Sequence, residues 1–158
     1  MKNSSRSIII TLVIITLFAI AMGYFEGTVV YYLNIAISQS PNILPLGPLP
    51  PQLLRVEQAR EAATIIMLVT FAFLIGKSKI EKLLIFLYTF AVWDIFYYIS
   101  LHFMVGWPTS LMAIDVLFLI PAREFWIAPV YVPIFISMIT IVIATILLIR
   151  RPKKLFKL

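Results

Sequence analysis

Four long apolar stretches dominate this chain, and each is long enough to cross a lipid bilayer as a helix. A hydrocarbon core about 30 Å thick takes roughly 20 residues of helix. The first stretch covers residues 8–37: it opens at Ile8, runs uncharged to Phe25, and continues past Glu26 through Val29–Ile37. The second, 53–75, combines Ala62–Ile75 with the more polar Val56–Glu61. The third, 80–105, is interrupted by Asp94 and His102, and the fourth, 127–149, carries no charge. The expected fold is therefore all-α, a four-helix transmembrane bundle forming a single domain over residues 1–158. Composition agrees: 62% of residues are hydrophobic, 13% are charged and the mean hydropathy is +1.03. So few polar groups cannot clothe a water-facing surface, which excludes a soluble enzyme, a disordered chain and a collagen-like fibre. Cysteine is absent, so disulfides, thiolate metal sites and cysteine nucleophiles are excluded too.

The connectors differ in kind. Ser38–Gln52 holds Pro41, Pro45, Pro48, Pro50 and Pro51. Such proline density removes backbone donors and fixes φ, so an extended connector is expected there, not helix. Gly106–Trp126 contains the apolar piece Leu111–Ala122, which reads as a short interfacial or re-entrant segment between helices 3 and 4. Together the connector and the Asp115 segment are expected to cap one face of the bundle. There is no internal repeat and no low-complexity tail.

Orientation follows from the basic residues. Ten of the thirteen (Lys2, Arg6, Lys77, Lys79, Lys82, Arg150, Arg151, Lys153, Lys154 and Lys157) fall on one side of the bundle, and Arg55, Arg60 and Arg123 on the other. The positive-inside rule then places both termini in the cytoplasm, in a multi-pass protein of the cell (plasma) membrane. The net charge of +6 is explained by this topology and the basic tail 150–158, with anionic lipid as its partner and no nucleic acid. Lys2, Arg6, Ile8–Phe18 and Ala19-x-Ala21 also have the form of a signal peptide. Removing them would leave three spans with termini on opposite sides, so the segment is read as the first span.

The acidic residues carry the functional information. Counting 1.5 Å per residue from the cytoplasmic ends, Glu61 and Asp94 lie about 22 and 21 Å along their helices, and Glu26 and Glu57 about 28 Å. Charges from three spans thus reach one slab, the outer leaflet. Each costs about 2.5–3.5 kcal/mol there unless it faces the bundle interior or a wet cavity. Glu57 and Glu61 share a helix face, with Arg60 between them. Asp94, Tyr98 and His102 form a second polar stripe at i, i+4 and i+8, beside Tyr97. Gly23 and Gly27 flank Glu26 as a small-xxx-small pair, and Ala59, Ala62 and Ala63 offer a smooth surface for it on helix 2. Helices 1 and 2 are expected to touch near Glu26 and Arg60, with helix 3 closing the site through Asp94.

Each element also has a bland reading. Glu57, Arg60 and Glu61 make a plausible ion-pair network that sets helix register, and the glycine pair serves packing alone. His102, the only histidine, fits an interfacial role and cannot supply the imidazoles of a zinc or haem-pair site. Trp107, Trp126 and Tyr131, with Tyr31 and Tyr32, read as an aromatic belt, and Pro129 and Pro133 as kinks at the start of the fourth span.

Charge imbalance keeps a functional reading in play. The outer half holds six acids, including Asp115 and Glu124, against three bases. Such an excess calls for protonation or a bound cation. Glu26, Glu57, Arg60, Glu61 and Asp94 are the candidate ligand or ion cluster, with Tyr97, Tyr98, His102 and Asp115 lining it. Glu26, Glu61 and Asp94 are the candidate ligands for a divalent cation. Nothing points to haem, flavin or nucleotide, and no phosphate loop, His-Glu-x-x-His or Ser/His/Asp pattern is present. Three functions follow: a membrane protein binding a cation, proton or small polar ligand; a non-catalytic accessory subunit, with a membrane-protein partner or a second copy, whose polar network only orders the helices; and a membrane-embedded enzyme using Asp94 or Glu61 as base on a lipid or quinone. The last requires an apolar lateral opening beside those residues.

Taken together, Gly23–Leu33 (GYFEGTVVYYL), Glu57–Thr64 (EQAREAAT), Trp93–Tyr98 (WDIFYY), Gly106–Pro108 (GWP) and Asp115–Pro121 (DVLFLIP), with Trp126 and Pro129–Val130, resemble an uncharacterised family of small multi-span prokaryotic integral membrane proteins. The resemblance spans roughly residues 20–133. It implies no reaction, only that the charged residues and the aspartate loop belong to one unit.

Overall fold

The computed structural model describes residues 2–38 and 49–150, with the side chains of all of these except 2–7, 38 and 123. Four helices carry most of the chain: α1 (Lys2–Ser38), α2 (Pro51–Ile75), α3 (Lys79–Val105) and α4 (Tyr131–Arg150). All four are long and apolar enough to cross a membrane. Most of the proline-rich connector lies outside the described residues, as does the tail beyond Arg150.

Helix α1 runs unbroken because its inward residues keep one seam. Ile8, Thr11, Ile15, Ala19, Gly23, Glu26, Val30 and Leu33 are all buried, at steps of three or four. That near-3.5 spacing turns a single stripe toward the neighbouring helix and carries Glu26 inward with it. The opposite side of α1 stays apolar and exposed, with Leu17 at 61% and Phe25 at 60%.

Helix α2 opens with Pro51 at its first position, where the missing N–H needs no partner. The turn to α3 is closed by a capping box: Ser78 Oγ accepts from Glu81 N–H at 3.3 Å, and Glu81 Oε2 accepts from Ser78 N–H at 3.4 Å and Lys77 N–H at 3.1 Å. Helix α3 ends at Gly106, whose φ of 70° is the left-handed value that suits glycine. It is the hub of the bundle. Half of its apolar window is buried, against 17–28% in the other three, and it packs on α1, α2 and α4.

The glycine pair serves this hub. A Cβ on Gly23 would meet the Trp93 carbonyl oxygen at 2.7 Å and Tyr97 N at 2.9 Å, and one on Gly27 would meet Ser100 Oγ. Both glycines therefore seat α1 on α3, not on α2. Ala59 and Ala63 are exposed and Ala62 is half-buried, so the expected α1–α2 seam of small residues does not form. Lower in the bundle Thr16 Oγ1 and the Tyr88 hydroxyl share a 2.8 Å hydrogen bond across the α1–α3 seam.

Between α3 and α4 the chain forms a small antiparallel ribbon, β1 (Ile114–Val116) with β2 (Ile127–Pro129), joined through a 3₁₀ turn at Arg123–Trp126. Asp115 pairs with Ala128, and backbone bonds from Leu117 N–H to Trp126 O and from Val130 N–H to Ala113 O extend the ribbon. The fourth helix consequently starts at Tyr131, later than the apolar run suggested, because Ile127–Pro129 is committed to the ribbon. Pro129 ends β2 and Pro133 sits in the first turn of α4, where it costs no helix bond, so neither kinks the helix. Trp107 is also relocated: only 8% exposed, it packs near Tyr98 and Val130 and belongs to no interfacial belt.

Because backbone atoms crowd Gly23, its replacement by alanine should push α1 off α3 and lower stability by about 1–3 kcal/mol. The same test on exposed Ala21 (Ala21→Leu) should be nearly neutral. Thermal unfolding of the two purified variants in detergent checks the difference.

Candidate functional site

The ribbon end of the bundle encloses a cavity of about 70 Å³. A single water needs about 10–15 Å³ by this kind of measure, so there is room for several waters or a small ligand. Eight residues singled out from the sequence line it: Glu26 from α1, Glu57, Arg60 and Glu61 from α2, Asp94, Tyr97 and Tyr98 from α3, and Asp115 from β1. Five carboxyl groups thus face one space with a single arginine.

Local structure explains how each arrives. Glu26 lies on the buried seam of α1 and is 7% exposed. On α2, the i, i+3 spacing lets the Arg60 guanidinium reach both ways: Nε donates to Glu57 Oε2 at 2.7 Å and a terminal nitrogen pairs with Glu26 Oε1 on α1. Glu61, one turn beyond Glu57, accepts the Leu119 N–H on both oxygens at 3.0 and 2.9 Å. Gln58 Nε2 returns a bond to the Leu119 carbonyl at 3.0 Å. The pleat of β1 leaves Ile114 exposed and buries Asp115, which accepts from the Tyr98 hydroxyl at 2.9 Å. Asp94 accepts from Ser137 Oγ of α4 at 2.8 Å.

Burial raises the Asp115 carboxyl above its ordinary value of 3.8, while bonds from Tyr98 and the Val116 backbone hold the rise back.

The carboxyl groups are distributed around the wall rather than gathered. Among the described residues no three His, Cys, Asp or Glu side chains form a group able to hold a metal ion. The expectation that Glu26, Glu61 and Asp94 share a divalent cation is therefore not met: Arg60, the Leu119 backbone and Ser137 each claim one of them.

His102 stands apart. It is exposed, its Nδ1 lies 3.1 Å from the Pro108 carbonyl, and it borders a separate open apolar groove with Ile99, Phe103, Leu111 and Ile134. Tyr98 lines both spaces, but none of the acids borders the groove. The i, i+8 spacing from Asp94 placed His102 on the right stripe; the Gly106–Pro108 turn draws it outward.

Sequence reasoning missed several walls. Ser137 was legible only as the single hydroxyl in the apolar run Val132–Ile139. Leu117–Leu119 gave no polar signal at all, and the backbone of Leu119 had no side-chain signature to read.

Fold and site thus define a bundle of four apolar helices with an acidic cavity at one end. No protein-family model, no curated protein and no solved structure matches the chain.

Arg60→Met should strand Glu26 and Glu57. Breaking a buried pair costs about 3–5 kcal/mol, and with the Arg60 side chain 22% exposed the lower end is expected, about 3 kcal/mol. Adding Glu26→Gln and Glu57→Gln should restore most of it, measured by thermal unfolding. The raised carboxyl of Asp115 favours the folded state fully at low pH and loses that contribution as pH climbs from 3.8 through its shifted value. A melting series against pH should therefore flatten in Asp115→Asn, and in Tyr98→Phe, which lacks the bond opposing the shift, the fall should move to higher pH.

Proposed function

We propose that the protein is a multi-pass membrane protein, with both termini cytoplasmic, whose acidic cavity lies toward the outer face and binds a cation, a proton or a small polar ligand. The single observation that carries this reading is the charge balance of the cavity, five carboxyl groups against one guanidinium in about 70 Å³. Arg60 can offset at most one charge, and carboxylates removed from water require a compensating positive partner or a proton. Membrane embedding rests on the outward faces. Leu74 at 86%, Phe103 at 84% and Phe135 at 63% exposure, with many like them, would make an apolar surface that no soluble monomer tolerates. The cytoplasmic placing of the termini rests on Lys77, Lys79 and Lys82 around the α2–α3 turn and Arg150 at the end of α4, at the helix ends away from the cavity, with Arg55 and Arg60 at the cavity end of α2.

A second reading draws on the pairing of the acids. Glu26, Glu57, Glu61, Asp94 and Asp115 each accept a hydrogen bond from the protein itself. A network of that kind suits an accessory subunit whose charges only order the helices.

Asp94→Asn separates the two, since the amide can keep the Ser137 bond while removing charge. Thermal midpoints of the detergent-solubilised protein are measured with and without divalent cations across pH 5–8. Binding at 100 times Kd stabilises by about 2.7 kcal/mol, several degrees of midpoint. Binding predicts a cation- or proton-dependent rise that Asp94→Asn abolishes. A flat response in the wild type overturns the binding reading and leaves the accessory role.

A further inference from the structure

We infer that Leu119–Ala122 is a hinged cover over the cavity, held shut by a latch from α2 made of Gln58 and Glu61. This adds an entrance to the binding reading above and rests on that reading only for what enters.

The first observation is how the segment is held. The antiparallel ladder ends with the bond from Leu117 N–H to Trp126 O. The next backbone–backbone bond along the chain, Phe125 N–H to Ala122 O at 3.3 Å, already belongs to the 3₁₀ turn. Among the described residues, Phe118–Pro121 make no backbone–backbone bond. Three side chains hold the stretch instead. Glu61 accepts the Leu119 N–H on both carboxyl oxygens, Gln58 Nε2 donates to the Leu119 carbonyl at 3.0 Å, and the Trp126 indole donates to the Ile120 carbonyl at 2.7 Å. Backbone held only through side chains can open while the ladder and helices around it stay formed, as lids over binding sites do.

The second observation is what lies on either side. Leu119 lines the cavity, whereas Ile120 is 39% exposed and Pro121 is exposed. This one stretch of chain therefore has the cavity on one side and the exterior on the other. Glu26, Arg60, Asp94 and Asp115 stand on helices or on β1, whose backbone is fixed by its own bonds.

The third is where the stretch stays attached. The Phe118 ring lies between Phe90 and Trp126, with centroids 6.0 and 5.5 Å away, and the 3₁₀ turn begins at Arg123. The moving part is the four residues between these anchors. Swinging Leu119 outward breaks the bonds of three side chains and none of the ladder. Glu61 is the latch residue proper: of the five cavity acids, it alone has its hydrogen bonds with the cover.

The chain contains no cysteine, so one introduced thiol reports access cleanly. Val30→Cys places it on the α1 wall of the cavity, at a position 5% exposed, and Thr109→Cys places it on the exterior. Modification by the small neutral reagent methyl methanethiosulfonate is timed on the full chain in detergent. Removing the latch with Glu61→Ala and Gln58→Ala should raise the Val30→Cys rate at least tenfold and leave Thr109→Cys unchanged. Gln58→Ala alone, which alters no charge, should raise it at least threefold. Asp94→Asn takes a charge from the cavity but no bond from the cover, and should leave the rate within twofold. Should the double variant not fold, hydrogen exchange in the wild type decides: the Leu119 amide should exchange at least tenfold faster than the ladder-bonded Leu117 amide. A Val30→Cys rate unmoved by the latch variants, an equal rise in Asp94→Asn, or Leu119 exchange as slow as that of Leu117 overturns the cover. Neither readout involves a ligand. A moving cover without any cation or proton response keeps this inference and removes the binding reading; a fixed cover with such a response does the reverse.

Discussion

Arg60 is the constraint on which the ribbon end of the molecule depends. Helices α1 and α2 do not pack closely along their lengths; the bridges between them are the Phe18–Phe71 stack, with ring centroids 3.9 Å apart, and the guanidinium that pairs Glu26 with Glu57. A guanidinium presents its donors in a rigid plane and stays charged, so it holds two carboxylates at a set separation. The contrast with the α1–α3 contact is instructive. There, glycines let backbones meet; α1 and α2 are instead bridged by long charged side chains, beside the cavity that α1, α2, α3 and the ribbon segment line together.

The ribbon completes that gap. An irregular segment over an acidic cavity would leave backbone groups unsatisfied, yet Leu119 has both its N–H and its carbonyl bonded by α2. Phe118 is anchored between Phe90 and Trp126, with ring centroids 6.0 and 5.5 Å away, and the Trp126 indole donates to the Ile120 carbonyl at 2.7 Å. The Leu117–Leu119 wall is therefore tied to both α2 and α3.

Much of the site was readable in advance because the relevant residues break strong rules. Glu26, Glu61 and Asp94 stood out as charges inside apolar helices, and helical spacing fixed which of them share a face. His102 obeyed the same spacing and still left the site, since its ring meets the Pro108 carbonyl in the turn that begins at Gly106, four residues later. The glycine pair was legible as a close-contact motif, but its partner was not, because small-xxx-small states only that some backbone approaches. Ser78 and Glu81 carried the S-x-x-E signature of a capping box in plain view, and it accounts for a glutamate that is 1% exposed.

The sequence by itself determined the four apolar helices and the clustering of acids at one end, because hydrophobic length and helical spacing are local properties of the chain. Only the tertiary structure decided that α3 is the hub, that Ser137 and the Leu119 backbone hold Asp94 and Glu61, and that the apolar run before Tyr131 becomes a strand. Those outcomes depend on which surfaces and hydrogen-bond partners meet across long sequence separations, and no spacing rule within one segment contains that information.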